Sequence, residues 1–459
     1  MHAPGRRHAR AALRRTGEHA SDAPRRRAGV PRCGVRVRAH GCISAAGVGS
    51  YEARLPAVGV GCGVVIAAAD GAREGIVTAV RHECVRIAPL DDAHGVRAGA
   101  AVTAQLQAPE VVLGVAALGR AVDARGAPID GGPPVRGRRL PLERVPPPPL
   151  SRGNSARPCW TGVRAIDALM TLARGQRVGI FGAAGVGKST LLQGIVRYAR
   201  ADATVVALIG ERGREVSGWL EALGEARART TLICATADQP PALRARAPLA
   251  AMAQAEDLRR HGLHVVLIVD SLARYCAALR ELAAANGETT ALRGHPPSSF
   301  AALGRLLERA GCEGAGAITA ICSVLVEGDD EREPVADAAR ALLDGHLVLS
   351  RRLAEAGRFP ALDPLASCSR LFAEVAEAGH ARAAAVLRRA LAALEGARDL
   401  RAVGAYVPGG DPLLDSAVAA EGDIEAFLRQ GAEASPRGYT LTRLAQLAAE
   451  LCRTEEGAS

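Results

Sequence analysis

From about residue 31 to 110 the apolar residues come in short, Val-rich runs broken by glycine: Val35-Arg36-Val37-Arg38, Val58 to Ile66, Gly75-Ile76-Val77-Thr78-Ala79-Val80 and Val85-Arg86-Ile87-Ala88. Alternation over short runs with turn residues between them predicts a small antiparallel barrel or sandwich. Residues 126–160 are rich in Gly, Pro and Arg, including Pro146 to Pro149, and read as a crossing segment without elements of its own. From 161 to about 380, nearly continuous apolar runs alternate with helical patterns. The runs are Arg177 to Phe181, Val205 to Ile209, Thr231 to Cys234, Val265 to Val269 and Ala317 to Val326. Strands apolar on both faces, separated by helices, predict a buried and largely parallel sheet. Beyond 380 the chain is Ala/Leu/Arg/Glu helix-forming sequence, broken at Pro408-Gly409-Gly410. The division that follows is a tail over 1–30, a β-barrel over 31–110, an α/β core over 111–380 and a helical domain over 381–459.

Composition narrows the class. The chain has 459 residues, 48% of them hydrophobic but only 3% aromatic, so its core must be built from Ala, Val, Leu and Ile. No run approaches the length of a membrane span, and the arginine-rich start is not a secretory signal. The eleven cysteines are scattered and never spaced Cys-x-x-Cys; Cys234 and Cys322 lie inside apolar runs, which reads as buried thiols in a reducing compartment. The net charge of +10 is a weaker hint of nucleic acid than it looks. Residues 1–30 hold eight arginines against Glu18 and Asp22, a net of +6, and the other 429 residues carry +4. That is a basic tail, disordered or a short docking arm, and not a basic binding face. The chain contains a single lysine, Lys188.

That lysine sits in Gly182-Ala183-Ala184-Gly185-Val186-Gly187-Lys188-Ser189-Thr190, which matches the phosphate-loop pattern and falls between a predicted strand and a predicted helix. Glycines there let backbone N–H groups turn toward phosphates, and the helix N-terminus adds positive potential. Lys188 neutralises phosphate charge, and the Ser189 hydroxyl suits Mg²⁺, so the loop predicts binding of ATP with Mg²⁺. The run Val265 to Val269 ends in Asp270, which at the C-terminal edge of a parallel sheet would lie beside the loop and hold Mg²⁺ directly or through water, the alternative being an Asp that caps a turn. Ile209-Gly210-Glu211-Arg212 ends the preceding strand; Glu211 is either a carboxylate that polarises water or one charge of a solvated turn. Arg370 is one arginine among dozens, and physics alone does not single it out.

Through these blocks and others along its length, the chain resembles the type III secretion ATPases of injectisomes and flagellar export, relatives of the catalytic subunit of rotary ATP synthases. The matching stretches are the phosphate loop, Gly210 to Val216, Asp270-Ser271-Leu272, Pro296 to Gly311, Val326 to Asp330, Asp344 to Leu371 and Gly404 to Pro412. The resemblance implies an α/β fold: a RecA-like P-loop NTPase core with a small N-terminal β-barrel and a C-terminal helical domain. It implies Glu211 as the carboxylate that activates water and Arg212 near the γ-phosphate. It also implies Arg370 as an arginine finger acting in trans, and Phe359 as the aromatic stacked on adenine. A homohexamer that hydrolyses ATP to energise protein secretion is implied, cytoplasmic and peripheral at the inner membrane, injectisome favoured over flagellum. Its implied partners are a stator, a central stalk and chaperone–substrate complexes, with no nucleic acid. Ala183-Ala184 stand where the family has Gly-Ser, Ala273 where it has Thr, and His295 where it has Tyr. The alternatives are a rotary synthase catalytic subunit, a non-catalytic nucleotide-binding subunit that would lack Glu211, and a Rho-like RNA translocase. The last would need stacking aromatics in the barrel, where Tyr51 is the only one.

Overall fold

The computed structural model describes residues 38–457 except 48, 83, 93, 106–107, 152, 154–156 and 327–332. The Arg-rich tail 1–30, the start of the Val35 run and residues 327–330 of the Val326 block lie outside the described residues.

Six strands, β1 (Arg38–Ala46), β2 (Tyr51–Arg54), β3 (Gly63–Ala68), β4 (Gly71–Val80), β5 (Val85–Pro89) and β6 (Ala101–Gln105), close into an antiparallel barrel in the order β1-β2-β5-β4-β3-β6. Alternate positions such as Val64 and Ile66, or Val85 and Ile87, fill its interior. Gly41 has to be a glycine, because a Cβ there would sit 1.7 Å from the Arg54 carbonyl oxygen.

The core sheet runs β14-β13-β8-β12-β11-β9-β10-β7. Its strands are β7 (Ala121–Asp123), β8 (Arg177–Gly182), β9 (Ala203–Glu211), β10 (Thr230–Thr236), β11 (His264–Asp270), β12 (Gly316–Leu325), β13 (Gly345–Leu349) and β14 (Leu362–Ser369). Every pairing along this path is parallel except β13 with β14. The pleat divides each strand between two cores. Val205, Ala207 and Ile209 pack toward the long helix Pro241–Arg260, while Val206 and Leu208 pack toward the helix Lys188–Tyr198. The C-terminal helices Ala378–Gly396, Pro412–Ala419, Glu421–Leu428 and Arg437–Gly457 join this second core through Leu387, Phe427 and Leu447. They therefore pack on the sheet face that carries the phosphate-loop helix.

The segment 126–160 is not structureless. Arg138–Pro141 pairs antiparallel with Glu110–Leu113, and Pro158–Cys159 pairs with Leu172–Ala173. Leu140 and Leu142 are each 2% exposed. Flanking prolines hid these short pairings, since proline is tolerated on edge strands whose N–H is not needed.

Candidate functional site

Strands β8, β9 and β11 are parallel, so their C-terminal ends share one edge of the sheet. The phosphate loop leaves β8 at Gly182, Glu211 ends β9 and Asp270 ends β11. Three blocks far apart in sequence meet there.

Within the loop, Gly185 (φ 82°) and Gly187 (φ 91°) take left-handed backbone that side chains disfavour. Ala183 and Ala184 do not, so their methyl groups are compatible with the turn. Lys188 opens the helix Lys188–Tyr198, and its Nζ donates to the carbonyls of Gly182 (2.7 Å) and Ala183 (2.5 Å). The side chain is 9% exposed, and burial pushes its ammonium down to about 8 against the pull of Asp270 and Glu211. Ser189 and Thr190 are exposed beside it on the first turn.

Glu211 is 7% exposed. Burial, then a hydrogen bond with Glu215, then the charge of Asp270 raise its carboxyl above the usual range, opposed by Arg274. Arg274 Nη1 lies 2.5 Å from Glu211 Oε1 and donates to the Gly210 carbonyl at 2.7 Å. Asp270 is buried too, which raises its carboxyl, and it accepts a hydrogen bond from the Ser323 hydroxyl. Sequence reasoning missed Arg274, Glu215 and Ser323. Arg274 was within reach of it: four residues past Asp270, it lies one turn into the helix that leaves β11.

Beside the loop opens a cleft of about 300 Å³ between Gly187, Leu191 and Tyr198 on one side and Phe359, Pro360 and Gln430 to Glu433 on the other. Phe359 is 47% exposed, its ring against Gly187. Gln430 closes the back of the cleft: its N–H donates to Phe359 O (2.9 Å), its Oε1 accepts from Arg164 N (2.7 Å) and its Nε2 donates to Gly162 O (2.8 Å). Gln430 to Glu433 belong to the C-terminal part and carried no motif that sequence could flag.

Arg370 is not in this group. It follows β14, where Ser369 opposes Gly345, and its N–H donates to Asp344 O at 3.0 Å. Asp344 in turn binds Arg177 at the start of β8, so Arg370 sits at the opposite end of that strand from the loop. Six residues of β8 separate the two ends, about 20 Å at ~3.3 Å per residue. The side chain is exposed. Arg212, at the N-cap of the helix Gly213–Ala222, is exposed as well.

A parallel sheet with a phosphate loop at one strand-to-helix turn and carboxylates at two neighbouring strand ends defines a P-loop nucleoside triphosphatase. Residues 162–369 match the model of the ATP synthase alpha/beta family, nucleotide-binding domain, and residues 376–446 match the model of the T3SS EscN ATPase C-terminal domain. The chain belongs to the family of type III secretion and flagellar export ATPases, and it is an ATPase. It is 48% identical over 355 residues to the flagellum-specific ATP synthase of Salmonella typhimurium, covering 75% of this chain and 78% of that one. With the type 3 secretion system ATPase of Pseudomonas syringae pv. syringae it shares 41% over 430 residues, 91% of this chain and 95% of that one. The solved structure of the assembled ATPase EscN, from the type III secretion system of enteropathogenic E. coli, superposes with a TM-score of 0.85 at 37% identity. It covers 89% of this chain and 100% of that one. EscN in complex with its central stalk EscO gives 0.83 at the same identity and the same coverage of both chains.

Proposed function

We propose that the chain is the ATP-hydrolysing motor of an injectisome, a homohexamer whose active sites are shared between neighbours. Gly182 to Thr190 wrap the phosphates, and Lys188 neutralises them once its Nζ exchanges two backbone carbonyls for phosphate oxygens. Phe359 stacks on adenine in the apolar cleft. Glu211, held by Arg274, orients the attacking water and takes up its proton, and Arg212 faces the γ-phosphate. Arg370 reaches the phosphates of the adjacent subunit, where it meets the charge that develops in the transition state.

The observation that carries this reading is the shared edge where Lys188, Glu211 and Asp270 act on one another. The exposure of Arg370, far from its own loop, supports its action in trans. The donors fit Mg²⁺: the Ser189 hydroxyl and the buried Asp270 carboxylate are hard oxygen ligands at the loop's mouth. When bound, the ion would neutralise charge on the β- and γ-phosphates.

Injectisome use is our choice over flagellar export; relatives of both kinds match the chain, the Pseudomonas syringae secretion ATPase over 91% of it and the Salmonella flagellar ATPase over 75%. The similarity to EscN, whose structure with its central stalk is known, supports a stalk partner inside the ring. A stator, chaperone–substrate complexes and a place at the inner membrane complete the proposal. Among the described residues no helix is long and apolar enough to cross a membrane, which suits a peripheral association. Affinity purification of the tagged chain from its own cells tests the assignment. Injectisome stator and stalk proteins are expected, and recovery of flagellar export components alone would overturn it.

A further inference from the structure

The helix that carries Arg274 joins two parts of the molecule. It spans Leu272–Ala285, 14 residues, or about 21 Å at ~1.5 Å per residue. Its first turn is fixed at the catalytic edge: Ser271 caps it through Arg274 N, and the Arg274 guanidinium holds Glu211 Oε1 and Gly210 O. Its last turn is fixed by the barrel. Arg86 Nη1 donates to Ala285 O (2.9 Å), Arg81 Nη2 donates to Asn286 O (3.5 Å), and Thr78 Oγ1 donates to Asn286 Oδ1 (2.7 Å). Glu52 in turn orients Arg86, with 3.3 Å to its Nε.

This end is built with care. Gly287 N donates to Ala284 O and Glu288 N to Ala283 O, with Gly287 at φ 74°, the Schellman arrangement that closes a helix. Two carbonyls left over at the negative end of the helix dipole are then taken by guanidinium groups of another domain. Between the ends, Leu272, Tyr275, Cys276, Ala278 and Ala283 are buried, so the rod cannot bend freely.

We propose that Thr78 and Arg86 are positioning residues for ATP hydrolysis: by gripping the end of this helix they set where Arg274 holds Glu211, so that displacement of the barrel is felt at the catalytic carboxylate. The step rests on Glu211 as the water-orienting group. Neither residue touches substrate; both act through the helix.

A double-mutant cycle tests it in the full chain at matched oligomeric state. Thr78→Val removes one donor at constant shape and is expected to lower kcat roughly threefold to tenfold, the scale of one hydrogen bond, with KM for ATP unchanged. Arg86→Gln should act in the same direction, and Arg86→Lys, which keeps a cation at Ala285 O, should restore most of the loss. In an Arg274→Gln background Thr78→Val should cost nothing further. Loss of the same factor with and without Arg274, or unchanged kcat in Thr78→Val and Arg86→Gln alike, would overturn the coupling. Glu211→Gln separates this from the parent reading. Full turnover in that variant would sink the role of Glu211, while the cycle still reports whether barrel and Arg274 are linked.

Discussion

Replacing Lys188 with arginine keeps the charge and tests the loop's geometry. Lys188 is the only lysine in a chain that uses arginine everywhere else, and its Nζ fits between two backbone carbonyls in a site 9% exposed. A guanidinium is longer and planar, and it brings about five N–H donors where an ammonium has about three. Two carbonyls cannot satisfy it. Each buried donor left over costs ~1–3 kcal/mol, and the extra volume costs ~1–3 kcal/mol more. The loop will therefore yield rather than enclose the group, and the charge will miss the transferring phosphoryl. Removing one preorganised charge contact of this kind typically lowers kcat by ~10²–10³. Phosphate release by the purified variant, measured beside Lys188→Ala and with the melting temperature as a folding check, reads the effect. Both variants are expected to fall by that factor while folded. Turnover of Lys188→Arg within about threefold of the natural protein would refute the argument, because an interchangeable cation needs no special geometry.

Phe359→Ala should raise KM for ATP by about fivefold to a hundredfold, the range of ~1–3 kcal/mol for base–aromatic stacking, and leave kcat nearly unchanged. Equal KM in steady-state kinetics would remove Phe359 from the base site. Chelation of divalent ions should stop turnover, and Asp270→Asn should raise the Mg²⁺ concentration needed for half activity; an unchanged Mg²⁺ titration would contradict a ligand role. His264 is a structural test. Burial holds its imidazole down from 6.5 to about 4, with its Nε2 2.9 Å from Thr319 Oγ1. The unfolded chain takes a proton on this ring at higher pH than the folded one. Stability is therefore lost as pH falls through that window, by about 3 kcal/mol in all at ~1.4 kcal/mol per pH unit. Denaturant titrations of His264→Gln should show a shallower decline over the same window, and parallel curves would contradict this.

The sheet was legible because its strands are apolar on both faces. Val205 to Ile209 and Val265 to Val269 cannot be amphipathic helices, and the residues that end them, Glu211 and Asp270, stand out as charges after apolar runs. The phosphate loop was legible because its glycines have a backbone reason, seen at Gly185 and Gly187. The cleft beside the loop was not. Gln430 to Glu433 reach it from the connection between the helices Glu421–Leu428 and Arg437–Gly457 through tertiary packing, and nothing in their spacing records that contact. Ser323 acts by lying across from Asp270 on the neighbouring strand, a relation of register that one chain read in order does not display. Arg138–Pro141 was missed because proline at a strand end looks the same as proline in a loop. Resemblance alone distinguished Arg370, since the role proposed for it depends on a surface of another subunit.

The proposed sharing of the hydrolytic site between subunits is tested most directly by subunit mixing. Glu211→Gln and Arg370→Ala are each expected to assemble, bind nucleotide and turn over very slowly. In an equimolar mixture that co-assembles at random, about one interface in four joins an intact Glu211 to an intact Arg370 across a head-to-tail contact. Turnover should then recover to about a quarter of the natural protein's. No recovery in a mixture shown to have co-assembled, or full activity of Arg370→Ala by itself, would contradict a finger supplied by the neighbour.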